Sequence, residues 1–201
     1  MVKASAWAAQ AAAPVEHDLE RVQAPGGGAA LRHGPSGVIF LPWYRGFRVE
    51  RVHRYDEAAR NVSVRYAAGP AALVSVYVFP RECLEAASDF EATFATSVRD
   101  MLAALSPALW AHERVTAFAR PSGEIVTGRR VEASGVAPGG PGPPQQALVE
   151  LFAHRGWLVK FRATHQPALR AEVESFLGAW LAASGLARPP TGPLTRRPRA
   201  D

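Results

Sequence analysis

Apolar residues along this chain recur first with a period of two and later with a period near 3.6, and the change of period predicts the elements. Val38-Ile39-Phe40-Leu41 is a short apolar run stopped by Pro42, and Phe47 to Tyr55 follows the Gly46 turn as a second, more polar strand. Val62, Val64 and Tyr66 alternate with Ser63 and Arg65, which places one side in a core and the other in water. From Leu73 to Phe79, Val74, Val76 and Val78 make one side and Ser75, Tyr77 and Phe79 the other, the pattern of a central strand covered on both sides. Phe90, Phe94, Val98, Met101, Leu102 and Leu105 then fall on one side of a helix. Ser88 and Glu91 have capping-box spacing at its start, and Pro107 ends it. Glu113 to Ala119 and Ile125 to Ala133, joined through Pro121-Ser122-Gly123, read as two further strands. The Gly/Pro insertion from Ala137 to Pro144 reads as a surface excursion, and long loops are also where binding residues collect.

The clearest signal lies near the C-terminus. With Arg155-Gly156 as a two-residue turn, His154 faces Trp157, Phe152 faces Val159 and Glu150 faces Phe161 on a largely apolar side of the ribbon. The other side pairs Val149 and Leu151 with Arg162 and Lys160, cations whose stems can pack while their heads reach water. Pro167 suits the first turn of a helix, and Leu169, Val173, Phe176, Leu177, Trp180 and Leu181 form its apolar stripe before Gly185. Together these predict an α+β domain: a mainly antiparallel sheet of about six to eight strands covered by two principal helices. The expected organisation is a flexible arm over residues 1–36, a single domain over 37–185 and a loose basic Pro/Arg tail over 186–201. There is no internal repeat.

A length of 201 residues with 48% apolar and 20% charged positions fits one globular domain, and no apolar run approaches the roughly 18 residues that span a bilayer. The single cysteine, Cys83, cannot close an internal disulfide or supply a thiolate metal site; it reads as a buried small hydrophobe rather than a nucleophile. The formal charge is +5, but Arg188, Arg196, Arg197 and Arg199 against Asp201 place +3 of it beyond residue 187. Weak nucleic-acid binding through that tail is therefore a lesser alternative, and nucleic acid is not the expected partner. Arginine outnumbers lysine 21 to 2, which a general bias toward Ala, Gly, Pro and Arg explains as well as any selection for anion contacts. Lys3, the following alanines and the triplet Ala9-Gln10-Ala11 resemble the remnant of a secretory leader. If that start is a clipped leader the protein is periplasmic or secreted; otherwise it is cytoplasmic.

No catalytic motif is present. The six histidines are scattered without metal-ligand spacing, and there is no nucleophile elbow, phosphate loop or dinucleotide fingerprint, so no metal and no cofactor is expected. Glu172 and Glu174 read as a solvated pair, whereas Glu150 among Phe152 and Phe161 would have a raised pKa if buried. Arg45, Arg48, Arg51 and Arg54 are interleaved with Trp43, Tyr44, Phe47 and Tyr55. Strict alternation turns Arg51 away from Arg48 and Arg54, so these cations should not form one stripe. The candidate ligand-binding set is Lys160, Arg162, Thr164 and His165, grouped near one end of the hairpin and able to hold a carboxylate or phosphate.

The order of elements resembles the PsbP-like sandwich family of extrinsic photosystem proteins and their relatives. The matching features are the Phe40-Leu41-Pro42 entry with Phe47 after it, Asn61-Val62-Ser63-Val64, the central helix, the return strand Arg155-Gly156-Trp157-Leu158-Val159-Lys160, and the closing helix with Phe176. The resemblance spans about residues 38–183 and implies a sheet with helices on its faces and a binding or assembly role outside the cytoplasm, not an enzyme; no functional residue is carried over from it. The expected function is a non-enzymatic binding or assembly module whose partner is another protein or a small anionic ligand. The competing expectation is a small-ligand or hydrolytic enzyme with a cleft between sheet and helix, using Lys160, Arg162, His165 or Glu150.

Overall fold

Within each stretch of alternating sequence successive segments pair with one another, and the result is runs of antiparallel hairpins. The computed structural model describes residues 19–23, 28–56, 60–81, 89–105, 108–136 and 143–187. Three short strands, β1 (Leu19–Gln23), β2 (Ala29–His33) and β3 (Ile39–Phe40), form a small antiparallel sheet. The main sheet contains β4 (Trp43–Tyr44), β5 (Phe47–Arg54), β6 (Val62–Ala67), β7 (Ala72–Pro80), β8 (Ala108–Ala119), β9 (Ile125–Gly135), β10 (Gln145–His154) and β11 (Trp157–His165). Its order is β4-β5-β6-β7-β11-β10-β9-β8, so two four-stranded meanders meet at the antiparallel pair β7 and β11. Helix α1 (Asp89–Ala103) connects the two meanders, and α2 (Arg170–Ala183) follows a 3₁₀ turn at Pro167–Leu169.

The hairpin register is the expected one: His154 pairs with Trp157, Phe152 with Val159 and Glu150 with Phe161. Arg155 and Gly156 both take positive φ (51° and 80°), the backbone of a two-residue turn whose twist matches that of the strands. One face of the sheet receives α2. Val173, Phe176, Leu177, Trp180 and Leu181 are fully buried there, with Trp180 edge to face on Phe161 at 4.7 Å and Phe176 at 4.8 Å from Tyr66. At about 1.5–3 kcal/mol for each large side chain, this stripe contributes on the order of 10 kcal/mol. The opposite face receives α1, whose Phe94, Met101 and Leu105 pack on Val131, Val149, Leu151 and Leu158.

The first sheet departs from the expected arm. Leu19–Gln23 and Ala29–His33 lie in the segment read as flexible, yet they form a sheet with β3 that packs on one flank of α2. Ala30 and Leu41 pack with Ala179 and Ala183, and the Ile39 amide donates to Ser184 Oγ at 3.3 Å. These strands are too short and polar to signal themselves by alternation; a half-buried flank of α2 is what they complete. The expected leader, Cys83, Ser88 of the capping box, residues 137–142 of the Gly/Pro insertion and residues 188–201 of the basic tail lie outside the described residues.

Candidate functional site

Strand pairing sets cations from β5, β6 and β11 and hydroxyls from β6 and β7 side by side on the face that α1 occupies. Arg51, Arg65, Ser75 and Arg162 form one cross-strand row on β5, β6, β7 and β11; His53, Ser63, Tyr77 and Lys160 form the next. Neighbouring strands lie about 4.8 Å apart, so residues within a row touch or nearly touch. Thr164, Leu73, Ala67 and Arg48 make a third row. Arg48 and Arg51 share this face because Glu50 is an extra residue: Val49 pairs with Tyr66 and Arg51 with Arg65, a β-bulge that undoes strict alternation. The expectation that these arginines point apart is corrected for this pair. It holds for Arg54, which pairs with Val62 on the α2 face.

Along the same face the rows change character. On β9 and β10 they continue into Val131, Val149 and Leu151 beneath α1; on β5 to β7 they surround an open hollow of about 270 Å³ lined by Arg51, His53, Tyr55, Ser63, Arg65, Ser75 and Tyr77. The sequence reading has β7 covered on both sides, but Ser75 and Tyr77 are only half-buried.

The cations differ in how much of their capacity is already used. Arg65 forms an ion pair with Glu50 at 2.8 Å. Lys160 donates to Ser97 Oγ at 3.3 Å and sits 4.5 Å from the Tyr77 ring centroid. Burial and then Arg162 push its ammonium below the ordinary value, with Asp100 opposing. Arg51 and Arg162 make no ion pair among the described residues. The ring of His53 meets Tyr55 edge-on at 4.4 Å, and the Tyr55 hydroxyl lies 3.3 Å from Ser63 Oγ, so His53 and Ser63 form no nucleophile–base hydrogen bond. This arrangement can hold an anion with guanidinium and hydroxyl donors.

A second charged cluster lies on the α2 face. Arg130, 1% exposed, has its Nε 2.9 Å from Glu132 and its Nη1 3.6 Å from Glu150, and it is hydrogen-bonded to Glu174 of α2. Glu132 also accepts from Arg114 at 3.0 Å and from Arg170 at 2.6 Å. Burial disfavours the Arg130 cation, but the Glu174 hydrogen bond and the fields of Glu150, Glu174 and Glu132 outweigh it and hold its pKa above the ordinary value. Glu174 is thus a clasp between helix and sheet rather than a solvated carboxylate. The hollow beside this cluster, about 10 Å³, has room for about one water.

The expected ligand-binding set is divided between the two faces. Lys160, Arg162 and Thr164 alternate onto the α1 face. His165 points to the other, where it is 4% exposed, donates from Nδ1 to the Gln166 carbonyl at 2.9 Å and lines the small hollow with Arg130 and Glu174. Burial is the main cause that lowers its pKa. Glu150 lies on that same face, so Lys160 and Arg162 stand on one side of the sheet and His165 and Glu150 on the other. The reading that groups His165 with Lys160 fails on the period of two. Arg51 and Arg65 join the site in its place, visible only once the bulge and the β5–β6–β7–β11 order are known. Among the described residues there is no group of three or more His, Cys, Asp or Glu that could hold a metal, and no helix is long and apolar enough to cross a membrane.

No protein-family model matches the chain, and no curated protein matches it. Among solved structures it is similar to the solution structure of cyanobacterial PsbP (CyanoP) from Synechocystis sp. PCC 6803. That likeness has 14% identity, covers 88% of this chain and 96% of that one, and has a TM-score of 0.42.

Proposed function

We propose that this protein is a non-enzymatic binding module that receives an anionic group, either an acidic protein surface or a small carboxylate or phosphate ligand, on the polar half of the α1 face. The observation that carries the reading is the pair of rows Arg51-Arg65-Ser75-Arg162 and His53-Ser63-Tyr77-Lys160, whose β5 to β7 members line an open hollow, with Arg162 and Lys160 next along the rows. Arg51 and Arg162 supply uncommitted bidentate donors. Lys160 and Tyr77 form a half-buried wall, and Thr164 lies one row along. The hollow is open, so the ligand's far side stays in water and binding depends on salt.

The test is titration of the full chain with an oligoglutamate peptide, with inorganic phosphate and with a single-stranded oligonucleotide, followed by calorimetry. The double variant Arg51→Glu and Arg162→Glu should bind the best of these at least tenfold more weakly, about 1.4 kcal/mol. Arg32→Glu, on the small sheet, should bind unchanged. Equal binding by the double variant would reject the face, and binding of the oligonucleotide alone would move the interaction to nucleic acid.

A further inference from the structure

Strand β8 ends the main sheet, and its outer edge carries the exposed apolar side chains Leu109 (65% exposed), Trp110 (42%) and Val115 (74%). An unpaired edge of this length is a template for another strand, and folded proteins ordinarily blunt it with charge. The charges on β8 do not serve that purpose, because each is matched inside its own sheet: Glu113 accepts from Arg129 and Arg114 donates to Glu132 at 3.0 Å. Among the described residues only the Ala119 end is covered, where Ala119 and Ala187 exchange backbone hydrogen bonds of 2.7 and 2.9 Å.

The sequence of β8 is complementary to itself. In an antiparallel pair, residues opposite each other lie on the same face, so a two-fold axis through His112 sets Trp110 opposite Arg114 and Ala111 opposite Glu113. That register lays a guanidinium on an exposed indole and matches a small side chain with a long one. Leu109 stands outside it, as the extra residue of a bulge between Ala108 and Trp110. Registers centred on Glu113 or Arg114 instead put like charges face to face. The pairs from 110 to 114 also stop short of Ala119, so the bridge to Ala187 stays intact.

We infer that the β8 edge is the dimerisation surface of this protein, and that the partner is a second copy joined through β8 in the register centred on His112, giving one continuous sheet across both copies. The full chain should sediment as a dimer with a dissociation constant of about 0.1 mM or tighter. The register is read by introducing one cysteine at a time in a Cys83→Ser background. His112→Cys places the two thiols directly across the axis, where mild oxidation should link them. Val115→Cys places them about 20 Å apart along the strands, where it should not. Trp110→Glu should weaken the dimer at least tenfold while the far-ultraviolet circular dichroism and melting curve stay unchanged. A chain that remains monomeric at millimolar concentration overturns the inference. A dimer in which the His112→Cys variant fails to link, or in which the Val115→Cys variant links as readily, overturns it as well.

Discussion

His154 sits at the end of β10, 1% exposed, and neither of its ring nitrogens has a hydrogen-bond partner among the described residues. Burial, then Arg155 and Arg120, push its pKa from 6.5 down to about 4, with Glu124 opposing. The unfolded chain therefore takes up a proton between pH 6.5 and 4 that the fold refuses. The His154 contribution to stability is complete above pH 6.5 and is lost as the pH falls toward 4. At 1.36 kcal/mol per pKa unit, the loss is about 3 kcal/mol. Urea unfolding from pH 7 to pH 4 should show this decline, and His154→Leu should flatten it while being at least as stable at pH 7, since it removes two orphaned polar atoms. An unchanged slope in the variant would remove His154 as the cause. Arg130 behaves in the opposite way, because its partners are buried with it. Arg130→Met should cost about 3–5 kcal/mol in urea unfolding at pH 7, since the fully buried Glu150 loses the cation beside it. Glu174→Gln, at the partly exposed rim, should cost markedly less.

At the scale of the element, the Glu50 bulge separates two effects on the proposed binding face. It sets Arg48 and Arg51 on one side, and its carboxylate occupies Arg65. Glu50→Ala should leave the fold intact, within about 0.5 kcal/mol as for an exposed ion pair. The same change should tighten binding of the anion that Arg51→Glu weakens, and calorimetry would show the two variants moving in opposite directions. The bulge also marks where the sequence stops being legible. The hairpin at Arg155-Gly156 is readable because a two-residue turn fixes every later pair, and the helices are readable because their apolar stripes repeat every third or fourth residue. A bulge is set by the partner strand, and nothing within Phe47–Arg54 announces it. The Arg130 cluster is equally hidden: β9 contributes Arg130 and Glu132, β10 Glu150 and α2 Glu174 and Arg170, each ordinary in its own segment, and only docking unites them. β1 and β2 escape for a related reason, being stabilised by a flank of α2 rather than by a pattern of their own. His165 joins Lys160 only by proximity in sequence, and the period of two separates them.

On the scale of the whole molecule, the two meanders differ in how their faces are covered. The β8–β11 half lies between α1 and α2, and the β4–β7 half has α2 on one face and the polar rows on the other. Binding and the inferred self-association thus use opposite ends of the same sheet, so a dimer through β8 leaves both hollows open and the assembly bivalent. Two such sites on one rigid body would raise the avidity for a repetitive anionic partner without any new contact. The meeting of the meanders at β7 and β11 has a different consequence, for how the chain reaches this state. Hairpins within each half close over short turns, but Pro80 and Trp157 are brought together only by closing the whole intervening chain, which costs on the order of 4 kcal/mol in entropy. The seam should then be the last register to form, after the rate-limiting step of folding. In stopped-flow refolding, trimming Val76 or Phe161 across the seam to smaller side chains should chiefly accelerate unfolding, whereas trimming Val131 within the second meander should retard refolding.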